Sequence, residues 1–572
     1  MTTTARPWVK AYIALGSNLD DRLRMIEQAC KALADHGAIR LLRTSLLYET
    51  TPMYVEDQGE FLNAACEIET ALAPMELLDA LQNIERVMGR IKTIDKGPRN
   101  VDLDILLYDD RVVDTQRLIV PHKLMLEREF VLRPLTDLIP EATIPSTRST
   151  RTVKSYLEDL PVSDPPLSPI VPFGPGILLR PLDPRKKTKV MSILNVTPDS
   201  FSDGGAISHL SPELTDFEKS KTVTRKLPDP TETTNSDMPS VIRLAADRAH
   251  LLNTPSGSQL CRALAWHIRS GSDIIDIGGQ STRPGAESVG DNAEIERIQP
   301  ALQARATCFP GVPTSLDTYR ASVAATATKI GYMHPELGAE QSSRFETGCH
   351  IINDISAGAM EPEILTVAAQ NNMTIVLMHM RGTPETMNKP ENLIYPDGVI
   401  AGVAEELKQR VAAAEAAGIP RWRIVLDPGI GFSKSSEQNL ELLKGLQTLR
   451  DWPGLRGIPW LVGTSRKNFI GEALGMDDLA VTEYADSIRD GARAVDEVEK
   501  AWAHADEKAR VILERPTVSK SGKYVRDVKR RDLGTAATVA AAVQGGADVV
   551  RVHNVRAARD VIAVADAIWR RP

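Results

Sequence analysis

Eight times between residues 189 and 553 an apolar run stops at a polar residue, and this repeat limits the possible folds more than any other feature. The runs are Val190–Leu194, Asp273–Gln280 (DIIDIGGQ), Val312–Thr318 (VPTSLDT), His350–Asp354 (HIIND), Thr374–His379 (TIVLMH), Arg423–Asp427 (RIVLD), Ile458–Ser465 (IPWLVGTS) and Ala547–His553 (ADVVRVH). Each has the length and composition of a buried strand. Ala-, Glu- and Arg-rich segments with helical spacing lie between them. Strands alternating with helices predict a parallel sheet. Eight such units predict a closed (β/α)8 TIM barrel, whose active site lies at the C-terminal strand ends. The first run opens the stretch KVMSILNVTPDSFSDGG, a strand that delivers a loop of Asn, Thr, Pro, Asp, Ser and Gly.

A chain of 572 residues is too long for one core. The class is α/β throughout. We expect a small α/β domain over 1–160, a Pro-rich linker over 161–187 and the barrel over 188–572. Polar insertions near 207–239, 332–347 and 477–528 interrupt the barrel and are assigned no catalysis. In the first domain, VKAYIALGSN reads as a strand running into a turn, and Asp20–His36 as a helix with Leu23, Ile26, Ala29, Cys30 and Leu33 on one face. Leu41–Glu49 and Phe61–Glu69 read as strands around the polar loop TTPMYVEDQGE, and Pro74–Met88 as a second helix. The segment Pro161–Pro184 holds eight prolines. That density favours a semi-rigid polyproline spacer, the alternative being a strap packed on one domain.

The net charge of -8 argues against wholesale nucleic-acid binding, so any phosphate site must be local. Five cysteines without CxxC spacing read as reduced thiols of an intracellular protein. No apolar run approaches the roughly 18 residues of a membrane span, and no signal peptide is evident. The expected place is the cytoplasm; the lack of acids before Asp20 leaves a mitochondrial destination open.

The most informative stretch of the first domain is GRIKTIDKGPRNVDLDILLYDD. Asp102 and Asp104, two apart on a strand, share one face. Two adjacent carboxylates are costly unless a cation lies between them. Such hard ligands suit Mg²⁺, which also takes substrate phosphates. Arg90, Lys92 and Arg99 lie just upstream, as triphosphate chemistry requires. A lone DxD pair reads more simply as a solvated strand edge. The surrounding residues decide otherwise: ALGSNL, DQGEFLNAA, GPRNVDLDIL and VPHKLMLEREFVLRPL together resemble 6-hydroxymethyl-7,8-dihydropterin pyrophosphokinase over Trp8–Pro145. The resemblance implies a ferredoxin-like α/β fold, with ATP as substrate. It implies two Mg²⁺ on Asp102 and Asp104, catalytic phosphate handling by Arg90, Lys92 and Arg99, ATP contacts from Arg99, His122 and Arg128, and a pterin pocket of Thr50, Asn63 and Phe130. One departure is Lys96, where many members have Trp.

In the barrel, Asp317 and Asp427 are acids at buried strand ends and need partners. The paired N–H groups of a pterin ring would suit them, and Asn353 can donate and accept at the same ring edge. Arg283, Lys467, Arg551 and His553 form a cationic set suited to a diphosphate. Any one of these could be a salt bridge tying the barrel top together; acids and cations alternating around one mouth are harder to dismiss. The motifs ILNVTPDSFSDGG, STRPGA, LDT, IINDISA, LMHM, LDPGIGF, GTSRK and RVH resemble dihydropteroate synthase. By that resemblance Asn195 ligates one Mg²⁺ carrying the diphosphate. Thr282, Arg283, Ser465, Arg551 and His553 surround the diphosphate, with Arg283 and Lys467 catalytic. Asp317, Asn353, Asp427 and Lys467 hold the pterin. Thr282, Pro284, Gly431, Phe432 and Asn468 shape the p-aminobenzoate site. Departures are Ser433, where Gly is usual, and Asn554, where Asp is common.

The two resemblances imply a bifunctional enzyme of folate biosynthesis in which the first half makes the substrate of the second. The small-molecule partners are 6-hydroxymethyl-7,8-dihydropterin, ATP and p-aminobenzoate, and the family implies a homodimer through the barrel. A methyltetrahydrofolate methyltransferase-type barrel would lack the STRPG and SRK loops. An inactive scaffold would show a broken DxD or lack Lys467. In fungi the family arrangement adds an N-terminal aldolase domain. Here the kinase motifs open the sequence, either in the plant order or as part of a longer protein.

Overall fold

The computed structural model describes residues 6–53, 57–90, 97–145, 150–163, 166–197, 255–280, 289–330, 348–474 and 531–570. The three expected insertions lie outside the described residues, as do Lys92, Lys96, Thr282, Arg283 and Pro284.

The N-terminal elements are β1 (Val9–Ser17), α1 (Arg22–Ala34), β2 (Ile39–Thr44), β3 (Leu47–Thr50), β4 (Phe61–Thr70), α2 (Pro74–Val87) and β5 (Asp102–Tyr108). The sheet runs β5-β1-β4-β3, with β2 also on β4, and all these pairs are antiparallel. This is the expected ferredoxin-like arrangement. The strand expected at Leu41–Glu49 is broken into β2 and β3 at Ser45. There the Ser45 hydroxyl accepts the Ala65 N–H at 2.9 Å, taking the place of a backbone rung. Helix α1 starts where Asp21 accepts the Arg24 N–H at 3.1 Å. Its buried face of Ile26, Ala29, Cys30 and Leu33 joins Ile13, Leu15 and Ile68 of the sheet and Leu77 and Leu81 of α2 in one core.

A two-stranded ladder, β6 (Val113–Asp114) and β7 (Ile119–Val120), follows, and then α3 (Glu129–Leu138). The barrel strands are β10 (Lys189–Asn195), β11 (Ile274–Gly278), β12 (Thr314–Asp317), β13 (Ile351–Asp354), β14 (Thr374–Met378), β15 (Ile424–Asp427), β16 (Leu461–Val462) and β17 (Val549–Val552). All eight predicted runs are strands, in the order β15-β14-β13-β12-β11-β10-β17-β16. A parallel bridge between Leu426 and Trp460 joins the two ends of that order and closes the ring. The five cysteines are buried and none is in a disulfide.

The Pro-rich segment departs from the expected spacer. Pro169–Pro172 forms β8 and Leu178–Leu179 forms β9, an antiparallel hairpin. Strand β8 pairs with Leu47 and Tyr48 of β3, extending the first sheet. Proline is tolerated there because β8 is a short added strand whose first and last residues are the prolines. The same hairpin buries Val171, Phe173 and Leu179 against Met191, Ile274, Ile351, Val425, Leu461 and Val549, inside the barrel near the strand starts. The Thr374 hydroxyl donates to the Pro172 carbonyl at 2.7 Å. The segment therefore plugs the end of the barrel opposite the strand C-termini.

Other contacts also join the two halves. Trp422, just before β15, is fully buried in the core of the first sheet. Arg423 grips Glu27 of α1 through Nε at 2.7 Å and Nη2 at 3.0 Å. Leu46 and Tyr48 pack into the barrel's core. Cutting near Pro166 should therefore not give two independent halves. Made as separate chains, 1–165 and 166–572 should each melt below the whole chain, since losing a buried Trp alone costs about 3–5 kcal/mol. Calorimetry showing both halves melting at the whole-chain temperature would deny the interface any stabilising role.

Two candidate active sites

The first site is an open cleft lined by Gly16, Thr50, Phe61, Asn63, Arg99, Asp102, Asp104, His122, Arg128 and Phe130 among others. Asp102 and Asp104 stand at the start of β5, opposite Gly16 and Ala14 of β1. Leu103 and Ile105, between and after them, are buried in the core. Gly16 sits between Asp102 and Asn63; a β-carbon on it would lie 3.4 Å from Asn63 Oδ1. Asn63 Nδ2 in turn donates to Thr50 Oγ1 at 2.7 Å. The structure thus brings together every described residue predicted for this site, with Arg90 reaching it by ion pairing to Asp102 at 2.7 Å.

Arg99 Nη1 donates to Asp102 Oδ2 at 2.5 Å and its guanidinium lies 5.5 Å from the centre of the Phe61 ring. Burial, with the Asp102 charge adding to it, pushes the Asp104 carboxyl up to about 7. A carboxylate held so far from its ordinary range is one that a cation would restore, so the donor set fits a divalent metal. His122 is lowered by burial and by Arg128, so it faces the cleft as a neutral imidazole near pH 7. Two residues without an assigned role support the loop. The Asn18 side-chain oxygen accepts the Arg99 N–H at 2.8 Å, and Glu85 accepts the Leu103 N–H at 2.8 Å while pairing with Arg90. Asn18 lies in the ALGSNL turn; nothing local marks Glu85, on the interior face of α2.

The second site is the mouth of the barrel. Asp317, Asn353 and Asp427 end or nearly end β12, β13 and β15, and all three are buried. Arg551 of β17 donates through Nη2 to Asp317 at 2.6 Å and through Nε to Asp276 at 2.6 Å. Asn353 Nδ2 also donates to Asp276, at 3.1 Å. Asp276 is thus a hub that the sequence reading passed over, because it lies inside an apolar run. Among the described residues, Asp276 Oδ1 and Asp317 Oδ1 are buried and accept no hydrogen bond, so each is an acceptor that an N–H donor would satisfy. Burial raises Asp317 to about 7, with Arg551 acting against it, and raises Asp427 to about 6.

His553 Nδ1 and Ser465 Oγ lie 3.0 Å apart, and the same hydroxyl accepts the His553 N–H at 3.2 Å. Lys467 Nζ lies 4.0 Å from the centre of the Phe432 ring. Gly431 has φ +81°, and a β-carbon there would meet Lys467 Cδ at 2.8 Å. Asn468 accepts from Arg531 Nη1 at 2.9 Å. Asn195 ends β10 beside Gly278; a β-carbon on that glycine would lie 3.5 Å from Asn195 Oδ1 and Asp317 Cβ. Among the described residues no cluster of three or more His, Cys, Asp or Glu could hold a metal ion.

The two departures are accommodated. Ser433 adopts φ +51°, and its hydroxyl accepts the Arg381 N–H at 2.8 Å and donates to the Arg381 carbonyl at 2.9 Å. Asn554 caps the last helix by accepting the Ala557 N–H at 3.2 Å. Behind the mouth lies a cluster with no sequence-stated role. Lys434 Nζ is 3.0 Å from His379 Nδ1, and His379 Nε2 is 3.0 Å from Glu406. Burial lowers Lys434 to about 7 and His379 to about 4.

Two family models match this chain: "7,8-dihydro-6-hydroxymethylpterin-pyrophosphokinase (HPPK)" over residues 12–140 and "Pterin binding enzyme" over 258–499. The mitochondrial folate synthesis bifunctional protein of Pisum sativum is 35% identical over 580 residues, covering 98% of this chain and 90% of that one. The chain belongs to the family of bifunctional folate synthesis proteins. A folate synthesis bifunctional protein of Arabidopsis thaliana is 33% identical, with 98% and 96% covered. The folic acid synthesis protein fol1 of Pneumocystis carinii is 34% identical, and this chain spans 60% of its length. A solved HPPK-DHPS of Plasmodium falciparum, with pterin and p-hydroxybenzoate, superposes at a TM-score of 0.64 and 18% identity over 98% of both chains, so this member shares its fold. Among the described residues no helix is long and apolar enough to cross a membrane.

Proposed function

We propose that this member of the folate synthesis family catalyses two consecutive steps. Residues 1–160 transfer pyrophosphate from ATP to 6-hydroxymethyl-7,8-dihydropterin. Residues 188–572 condense the resulting diphosphate with p-aminobenzoate to give 7,8-dihydropteroate. The segment 161–187 is shared by both. The observation that carries the reading is one chain holding both a carboxylate pair flanked by arginines and a barrel mouth of buried acids around Arg551.

In the first step, Asp102 and Asp104 would hold two Mg²⁺, which when bound supply positive charge against the charge developing on the phosphates. Arg90 and Arg99, already beside Asp102, lie where they can turn to the phosphates, with Lys92 completing the set. Arg128 and neutral His122 contact ATP, and Thr50, Asn63 and Phe130 hold the pterin. In the second step, Asp317, Asn353 and Asp427 hold the pterin, and the orphaned Asp317 Oδ1, an acceptor for a ring N–H, supports this. Ser465, Arg551 and His553, with Thr282 and Arg283, hold the departing diphosphate, and Asn195 would hold one Mg²⁺ that offsets its charge. Lys467, beside Phe432, holds the pterin with Asp317, Asn353 and Asp427, and Thr282, Pro284, Gly431, Phe432 and Asn468 shape the aryl site. The protein's contribution is positioning the amine and stabilising the leaving charge.

The test is a coupled assay with 6-hydroxymethyl-7,8-dihydropterin, ATP, Mg²⁺ and p-aminobenzoate. 7,8-Dihydropteroate, AMP and pyrophosphate should form, all dependent on Mg²⁺. A sulfonamide should block the second step and let pterin diphosphate accumulate. Methyl transfer from methyltetrahydrofolate without any dihydropteroate would overturn the reading.

A further inference from the structure

The turn Gly429–Ser433 carries Gly431 and Phe432, which the proposed function places against the arylamine. It leaves β15 directly after Asp427 and presses against the end of β14. A β-carbon on Gly429, at φ +67°, would lie 1.9 Å from the His379 carbonyl oxygen. The turn's carbonyls are gathered by one side chain. Lys434 is buried, and its Nζ donates to Gly429 O at 3.1 Å and to Phe432 O at 2.9 Å. Its third direction meets His379 Nδ1 at 3.0 Å. On the far side of that ring, Nε2 lies 3.0 Å from Glu406, a residue of the helix Val399–Ala416. A carboxylate only accepts, so Nε2–H donates to Glu406 and Nδ1 of the neutral ring accepts from Lys434. The chain Glu406–His379–Lys434 thus runs from an outer helix to both ends of the turn. It stops short of the reacting centre, but Phe432, which it fastens, lies against Lys467 Nζ at 4.0 Å.

We infer that Lys434, held by His379 and Glu406, is a positioning residue that sets the arylamine side of the barrel mouth by fixing the backbone of the turn Gly429–Phe432. This inference rests on the proposed synthase reaction. It predicts selectivity, because the pterin acids stand on the strands: Asp317 is anchored by Arg551, and Asp427 belongs to β15 and meets the turn at its first residue, accepting the Gly429 N–H at 2.7 Å. The arylamine contacts stand on the turn.

Lys434→Met keeps the length of the side chain and removes its donors. In the full chain, the KM for p-aminobenzoate should rise about tenfold, the size of one lost hydrogen bond, with kcat changed less. The dissociation constant for pterin diphosphate, measured calorimetrically without p-aminobenzoate, should stay within about twofold, as should the kinase rate. Unchanged kinetic constants would overturn the inference. So would equal losses for both ligands, which would make Lys434 a general prop of the barrel. If Lys434→Met does not fold, Glu406→Gln reads the same chain from its outer end. It should give the same selective rise, and an unaltered KM there would equally overturn the inference. A parental chain that forms no dihydropteroate would instead refute the functional reading.

Discussion

Replacing Asp104 by Ala is expected to reduce pyrophosphoryl transfer from ATP about a thousandfold, equivalent to about 4 kcal/mol of barrier. The barrel half should continue to make dihydropteroate from preformed pterin diphosphate at the parental rate. The size follows from the donor set: two carboxylates share the cleft, and one left alone binds a divalent ion poorly. The fold should survive, because Asp104 occupies a position where burial and Asp102 already disfavour its charge. Asp102→Ala should behave alike in catalysis but also release Arg90 and Arg99 from their shared partner. ATP consumption near the parental rate in either variant would remove the metal assignment.

Arg551→Met should have the largest effect on the barrel. It removes the only side chain seen bridging two buried acids among the described residues, leaving Asp276 and Asp317 facing each other. Breaking a buried ion pair by deleting one partner typically costs about 3–5 kcal/mol. The loss should depend on pH, and its sign can be worked out. Asp317 binds its proton more tightly in the folded chain, where burial holds it near 7, than in the unfolded one. Its contribution to stability is therefore lost as pH rises from the ordinary carboxylate range through about 7. Without Arg551, which pulls that value down, the loss deepens. Denaturation of Arg551→Met should show a larger deficit at pH 8 than at pH 5, together with abolished synthase activity and an intact kinase. A deficit independent of pH would mean that Arg551 acts through packing rather than charge.

Much of both sites was legible because their residues sit where a strand's periodicity changes. An apolar run that ends in Asp, Asn, Ser or His has nowhere to put that group except the barrel mouth, which is how Asp317, Asn353, Asp427, Ser465 and His553 declare themselves. The alternation of Asp102 and Asp104 with Leu103 and Ile105 works the same way. Asp276 escaped because it interrupts its run instead of ending it, and only the register against β12 and the reach of Arg551 give it meaning. Glu85 and Glu406 escaped because acids on helices are common and their partners are remote in sequence. The Pro-rich segment misled for a related reason. Proline's effect on its own backbone is local, whereas the pairing of Pro169–Pro172 with Leu47 and Tyr48 is decided by an open sheet edge more than a hundred residues away.

The hairpin of β8 and β9 precedes every barrel strand in the order of translation. When it leaves the ribosome, the first sheet is already synthesised and can bind β8 along β3, while the barrel that will close around Phe173 does not yet exist. The nascent protein would therefore carry a preassembled floor, fixed to a folded neighbour, onto which Met191, Ile274, Ile351, Val425, Leu461 and Val549 arrive in turn. A circular permutant beginning at the barrel's first strand would reverse that sequence of events. It should refold from denaturant to the same end state yet accumulate aggregates during synthesis.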